Sequence, residues 1–195
     1  MGKALPSEEK QQLLRLAREA LEAAVCGRTP PPLDLSALPE RLRIPAATFV
    51  TLTRGEVLRG CIGSLDAKVP LAQDVQEHAV AAALHDFRFP PVRPVELEFI
   101  GIEVSVLTAP QLLEYSLPDE IPDRLRPGID GVILISGPDR ATFLPQVWEK
   151  VADPEQFLSM LCQKAGLTRH AWRKGDIRVL TYQVDSFHQP PISDT

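Results

Sequence analysis

The stretch VLRGCIGS places Arg59, Gly60, Cys61 and Gly63 within a few residues of one another. A guanidinium two residues from a thiol can do chemistry. The thiolate is the nucleophile, and nearby positive charge, a helix N-terminus or a base lowers a thiol's pKa. On an ideal strand residues 59 and 61 point to the same face, so the Arg59 guanidinium is expected beside the Cys61 sulfur. A distortion at Gly60 undoes that arrangement. Glycines in or ending a strand mark a bulge or the close approach of another backbone or a ligand. The bland alternative is that unpaired cysteines are mostly buried packing residues. No histidine lies near Cys61 in sequence; His78 or His85 has to fold over to act as its base.

A second polar pair falls on the stretch ELEFIGIEVSVLT, which reads as one strand over residues 96–108. Ile100, Ile102, Val104 and Val106 share one face, and Gly101, Glu103 and Ser105 share the other. Glu103 and Ser105 either meet water or form the floor of a polar pocket, with Gly101 leaving room. Other site chemistries are poorly served. His78 and His85 are seven apart on one helix, where joint metal ligation favours a spacing of four. GCIGS is neither a Walker loop nor GxGxxG, and SLDAK separates it from the next helix start.

The elements that must position these residues follow from periodicity. Ser7 is expected to cap a helix from Glu8 to Cys26, with Cys26 as an apolar filler and Gly27 as its stop. TPPPLDLSALPERLRIP, residues 29–45, reads as an extended connection without helix. Residues 47–62 predict a β-hairpin turning at Gly55. A helix starts at Pro70 and buries Leu71, Val75, Ala79, Ala82 and Ala83. GVILIS and ATFLP predict a second hairpin. Asp153, Pro154 and Gln156 open a helix through residue 165, and DIRVLTYQV is read as the last strand. Hairpins demand antiparallel pairing, so the fold class is α+β: an antiparallel sheet built from hairpins and flanked by helices. The 195 residues suit one domain with two lobes, divided as residues 1–45, 46–185 and a tail over 186–195.

Bulk properties exclude several classes. No apolar run approaches the ~18 residues of a membrane span, and the N-terminus lacks a signal peptide's apolar segment. Three scattered cysteines argue against a disulfide framework, a zinc finger or a cysteine-ligated cluster, and fit the reducing cytosol. A net charge of −5 speaks against nucleic acid as a partner; RHAWRK, residues 169–174, is the densest basic patch. No cofactor is indicated.

The order FVTLTRGEVLRGCIGSL, DFRFPPV, IEVSVLTAP, GVILI, FLPQVWE and FLSMLCQKAGL-x-x-x-AW resembles the AMMECR domain family over residues 46–185. Prokaryotic members are called AmmeMemoRadiSam system protein A. The resemblance implies an α+β fold with a larger and a smaller lobe, and association with a Memo-like protein and a radical SAM protein. It implies no settled activity. It directs attention to Arg59, Gly60, Cys61 and Gly63 in LRGCIG, and to Asp86, Arg88 and Phe89 in DxRFPP. It adds Glu103 and Ser105 in IEVSVL, Gln146 in LPQV, and Lys164 and Trp172. One departure stands out: Ala141, Thr142 and Phe143 precede LPQV where the family has a serine–glycine step, which implies a narrower pocket if that stretch lines it. Two functions compete. In one, Arg59, Arg88, Glu103 and Gln146 line a cleft that binds a small anionic ligand or a partner's peptide. In the other, Cys61 is a nucleophile or covalent carrier, with Glu103 as acid or base.

Overall fold

The structure, a computed structural model, describes residues 4–193. Its elements are α1 (Ser7–Val25), α2 (Glu40–Arg43), β1 (Ala47–Arg54), β2 (Val57–Gly63), α3 (Leu71–Leu84), β3 (Ile100–Leu107), β4 (Gln111–Leu112), α4 (Ile121–Arg124), β5 (Gly131–Ser136), β6 (Asp139–Phe143), α5 (Pro154–Lys164), β7 (Arg178–Tyr182) and β8 (Val184–Gln189). They form two compact units, one of residues 1–107 and 185–195, the other of residues 108–184. The α+β class and the antiparallel hairpins are as expected from the sequence.

The first unit carries a sheet in the order β2-β1-β3-β8. Alternation assigns its faces. Val50, Leu52, Ile102 and Val104 point to a core filled by Leu13, Ala17 and Leu21 of α1 and Leu71, Val75 and Ala79 of α3. Each fully buried Leu, Ile or Val among these contributes about 1.5–3 kcal/mol. Residues of the opposite parity occupy the face turned away from these helices. The hairpin turns at Gly55, whose φ of 58° selects a glycine there.

The second unit has a sheet in the order β4-β7-β5-β6. Its core stacks Trp148 on Phe157 at 3.7 Å between ring centroids, with Phe143 edge-on to Phe157 at 5.2 Å. Asp153 caps α5 as the sequence indicates, its carboxylate accepting from Gln156 N–H at 2.7 Å.

Several local expectations differ. Pro6, not Ser7, is the α1 cap residue, and Cys26 is exposed. The proline-rich connection contains the single helical turn α2, which buries Leu42. ELEF is no part of β3: Pro94–Phe99 forms a 3₁₀ turn, because Glu96 turns back to accept the Arg93 N–H at 2.9 Å. The supposed tail supplies β8, beside β3. Its polar sequence, VDSFHQ, hides the strand; at its start the Asp185 carboxylate accepts the Leu5 N–H at 2.8 Å and pairs with Lys10 at 2.5 Å.

Candidate functional site

The geometry around Cys61 is decided by one extra residue. Counted from the turn, Arg54 pairs with Val57 and Thr53 with Leu58, but Leu52 then pairs with Gly60 and Thr51 with Cys61. Arg59 is the bulged residue, opposite no partner. In an unbroken register Arg59 faces Leu52 and Cys61 faces Val50, both on the core side. The bulge instead puts Gly60 against α3 and Cys61 on the helix-free face. Gly60 is the residue this contact admits, since a Cβ there overlaps the Ala82 carbonyl oxygen. The same bulge corrects the parity expectation. Arg59 and Cys61 do not share a face.

Arg59 is committed elsewhere. Its Nε and Nη2 donate to the two Glu96 carboxylate oxygens at 3.0 and 3.2 Å, and its Nη1 and Nη2 donate to the Pro90 and Pro91 carbonyls at 2.9 and 3.2 Å. This pair is largely shielded from water. The hydrogen bond from Arg59 holds the Glu96 carboxyl down at about 2 against its burial. Arg18, buried in α1, supports the same segment by donating to the Leu97 and Ile100 carbonyls at 3.2 and 2.6 Å.

Asp86 and Arg88 grip Cys61 by its main chain. Asp86 is 4% exposed. One carboxylate oxygen accepts the Cys61 N–H at 2.9 Å, and Arg88 donates to the carboxylate from Nε at 2.9 Å and Nη2 at 2.6 Å. Arg88 Nη2 also donates to the Cys61 carbonyl at 3.0 Å. The Arg88 hydrogen bonds hold the Asp86 carboxyl well below the ordinary carboxylate range. Asp86 in turn raises the Arg88 pKa, with a smaller contribution from the Cys61 side chain.

On the helix-free face, Cys61, Thr51 and Glu103 form one cross-strand row, because Thr51 pairs with Cys61 on one side and Glu103 on the other. Thr51 Oγ1 donates to Cys61 Sγ at 3.3 Å. The next row is Gly63, Phe49 and Ser105. The Phe49 ring occupies the space a Gly63 side chain needs. Ser105 is buried and its hydroxyl shares a hydrogen bond of 2.8 Å with that of Ser186. Cys61, Thr51 and Glu103 are half-buried, and among the described residues no ion pair or hydrogen bond engages the Glu103 carboxylate.

The remaining sequence candidates lie in the second unit. Gln146 is exposed in the 3₁₀ turn Pro145–Glu149. Lys164 donates to the Thr142 carbonyl at 3.0 Å and sits over the Phe143 ring at 5.1 Å. Thr142 is bonded to Tyr182 and to the Val132 carbonyl, so the departure at residues 141–143 is a packed strand end. Behind the motif, Thr48, Asp74 and His78 form a shielded cluster. Thr48 Oγ1 donates to Asp74 at 2.6 Å, and His78 Nδ1 lies 3.1 Å from both. Sequence reasoning missed Thr51, Glu96 and Thr48. Thr51 was discoverable only through the bulged register; Glu96 was masked by reading ELEF as strand.

A cysteine on a bulged edge strand, its backbone gripped by an Asp-x-Arg segment, sits here in an α+β fold with two antiparallel sheets. The AMMECR1 family model matches residues 14–187, and the chain belongs to the AMMECR1 family. A protein of Thermofilum pendens is 42% identical over 200 residues, covering 96% of this chain and 92% of that one. A protein of Methanothermobacter thermautotrophicus is 40% identical over 186 residues, covering 95% and 96%. The crystal structure of the uncharacterized protein PH0010 from Pyrococcus horikoshii matches with a TM-score of 0.87 at 35% identity, covering 97% of this chain and 96% of that one. Among the described residues no helix is long and apolar enough to cross a membrane.

Proposed function

We propose that this protein is a binding module that works in the cytosol with a Memo-like protein and a radical SAM protein. Its contact surface is centred on LRGCIG and the DFRFPP segment. One observation carries this reading. The guanidiniums around Cys61 are spent on holding main chain, Arg59 through Glu96 and two proline carbonyls, Arg88 through Asp86 and the Cys61 carbonyl. A small anion therefore meets guanidiniums that are already neutralised. Beside the unengaged Glu103 carboxylate, the most exposed groups are apolar: Phe87, 95% exposed, with Val57 at 70% and Val95 at 69%. Such residues on a clamped backbone suit a protein partner, since little entropy is lost on contact. The test is calorimetric titration of the purified chain with each of the two partner proteins from the same organism. Binding that weakens at least about tenfold in Phe87→Ala, a typical anchor loss, and survives Cys61→Ala supports the module. Absence of binding to both partners refutes it.

The second reading, an enzyme using Cys61 as nucleophile or covalent carrier, is favoured by the Thr51 hydroxyl on the sulfur and by Arg88 beside it. It requires Cys61 to be alkylated at neutral pH ahead of Cys26, although Cys26 is the exposed thiol. Equal or slower reaction at Cys61 removes it.

A further inference from the structure

β2 is an edge strand, paired among the described residues with β1 alone. In an antiparallel pair the residues alternate between those bonded to the partner strand and those whose N–H and C=O point outward. Ser64 N–H donates to the Thr48 carbonyl at 3.0 Å. By that alternation Gly60 and Ile62 bond inward, and the N–H and C=O of Cys61 point out from the sheet. An outward rung of this kind is a template for pairing with another strand. Here it is closed by side chains: the Asp86 carboxylate takes the N–H at 2.9 Å and the Arg88 guanidinium takes the C=O at 3.0 Å. The two side chains supply the acceptor and donor that a neighbouring strand supplies from its backbone.

The rest of the segment completes the substitution. Pro90 and Pro91 have no N–H to offer, and their carbonyls are consumed by Arg59, the bulged residue of the same strand. Glu96, which fixes Arg59, also accepts the Arg93 N–H, so residues 86–96 are tied to β2 at two points. Proline, a bulge and a covering segment are each known ways of blunting a sheet edge.

We propose that residues 86–96 are an edge cap for β2, built from side chains, and that Asp86 and Arg88 are positioning residues that keep the motif strand from pairing with a second copy of this chain. The cap acts on backbone groups, so its first readout is amide exchange. In the wild-type chain the Cys61 amide is protected although it faces away from β1. Asp86→Ala with Arg88→Ala speeds its exchange about tenfold to a hundredfold, the worth of one charge-assisted hydrogen bond. The neighbouring Ile62 amide, bonded inward, changes far less. The same variant gains a concentration-dependent dimer by light scattering, and adding Leu58→Lys, a charge on the edge strand, removes it. Should the double variant fail to fold, Arg88→Ala alone is compared with wild type by the same exchange measurement. An unprotected Cys61 amide in the wild type, or a folded variant with unchanged exchange and unchanged mass, overturns the proposal.

Discussion

Each unit of this protein contains an aspartate gripped by a nearby arginine, and the two grips differ in two bonds. In the second unit Asp130 accepts Arg126 N–H at 3.0 Å, Nε at 3.1 Å and Nη2 at 2.6 Å. Among the described residues all of its side-chain partners come from one residue four positions away, and the result is a closed local loop around Gly128, whose φ is 77°. In the first unit Asp86 accepts Arg88 N–H at 3.1 Å, Nε at 2.9 Å and Nη2 at 2.6 Å, which is nearly the same set. Asp86 then adds the Cys61 N–H, 25 residues away, and Arg88 adds the Cys61 carbonyl. Both carboxylates are buried while both guanidiniums remain about half exposed. The same ion pair therefore finishes a turn in one place and holds the motif strand in the other. The two added bonds, not the pair, tie residues 86–88 to the Cys61 backbone.

Substitutions can break this comparison. The largest effect is expected at the second tie of the cap, where Arg59→Ala strips the shielded Glu96 carboxylate of its main partner and leaves it the Arg93 N–H at 2.9 Å and Nε at 3.4 Å. A loss of about 3–5 kcal/mol in urea unfolding is expected, and a loss below about 1 kcal/mol would mean the pair is solvated. Asp86→Ala comes next, at about 2–3 kcal/mol, since it strands both a long-range and a local N–H. Asp130→Ala is expected at about 1–2 kcal/mol, and equal losses for the two aspartates would erase the distinction drawn between them.

Acid sharpens the contrast more gently. Glu96 is held at about 2 when folded, against an ordinary value of 4.5. A folded pKa below the unfolded one means stability that is present above pH 4.5 and is lost as pH falls from 4.5 towards 2. Arg59→Met with Glu96→Leu is expected to flatten that part of the stability profile, and an unchanged slope in the double variant would place the loss elsewhere. The smallest effect belongs to thiols: burial raises the Cys162 pKa, so it should resist alkylation until the second unit unfolds, whereas exposed Cys26 reacts in the native chain.

Much of the scaffold was legible because its signals are local. The Asp153 cap, the turn at Gly55 and the apolar alternation of Ile100, Ile102, Val104 and Val106 each depend on neighbours a few residues away. The site was less legible because one bulge inverts parity. The identity of Arg59 and Cys61 was readable, but which face each takes depends on whether Gly60 or Arg59 opposes Leu52, and that is settled by the Ala82 carbonyl on a distant helix. Glu96 was misplaced for a similar reason: in sequence it continues an apolar strand, and only its bonds to Arg59 and Arg93 reveal a turn. β8 could not be found by pattern, since its alternation is polar and its partner β3 lies some 80 positions earlier, as the Ser105–Ser186 hydrogen bond reflects.

The position of β8 has a bearing on how the chain is made. The second unit is inserted between Leu107 and Asp185, and its entry and exit are stitched at Thr108 and Gln183 by hydrogen bonds of 2.9 and 2.8 Å. During vectorial synthesis the inserted unit emerges complete before the host unit receives its final strand. The host must wait with β3 half-paired until Asp185 arrives to meet Leu5 and Lys10. Over that interval it is one edge of β3, a strand in the middle of the finished sheet, that stands bare on the nascent polypeptide.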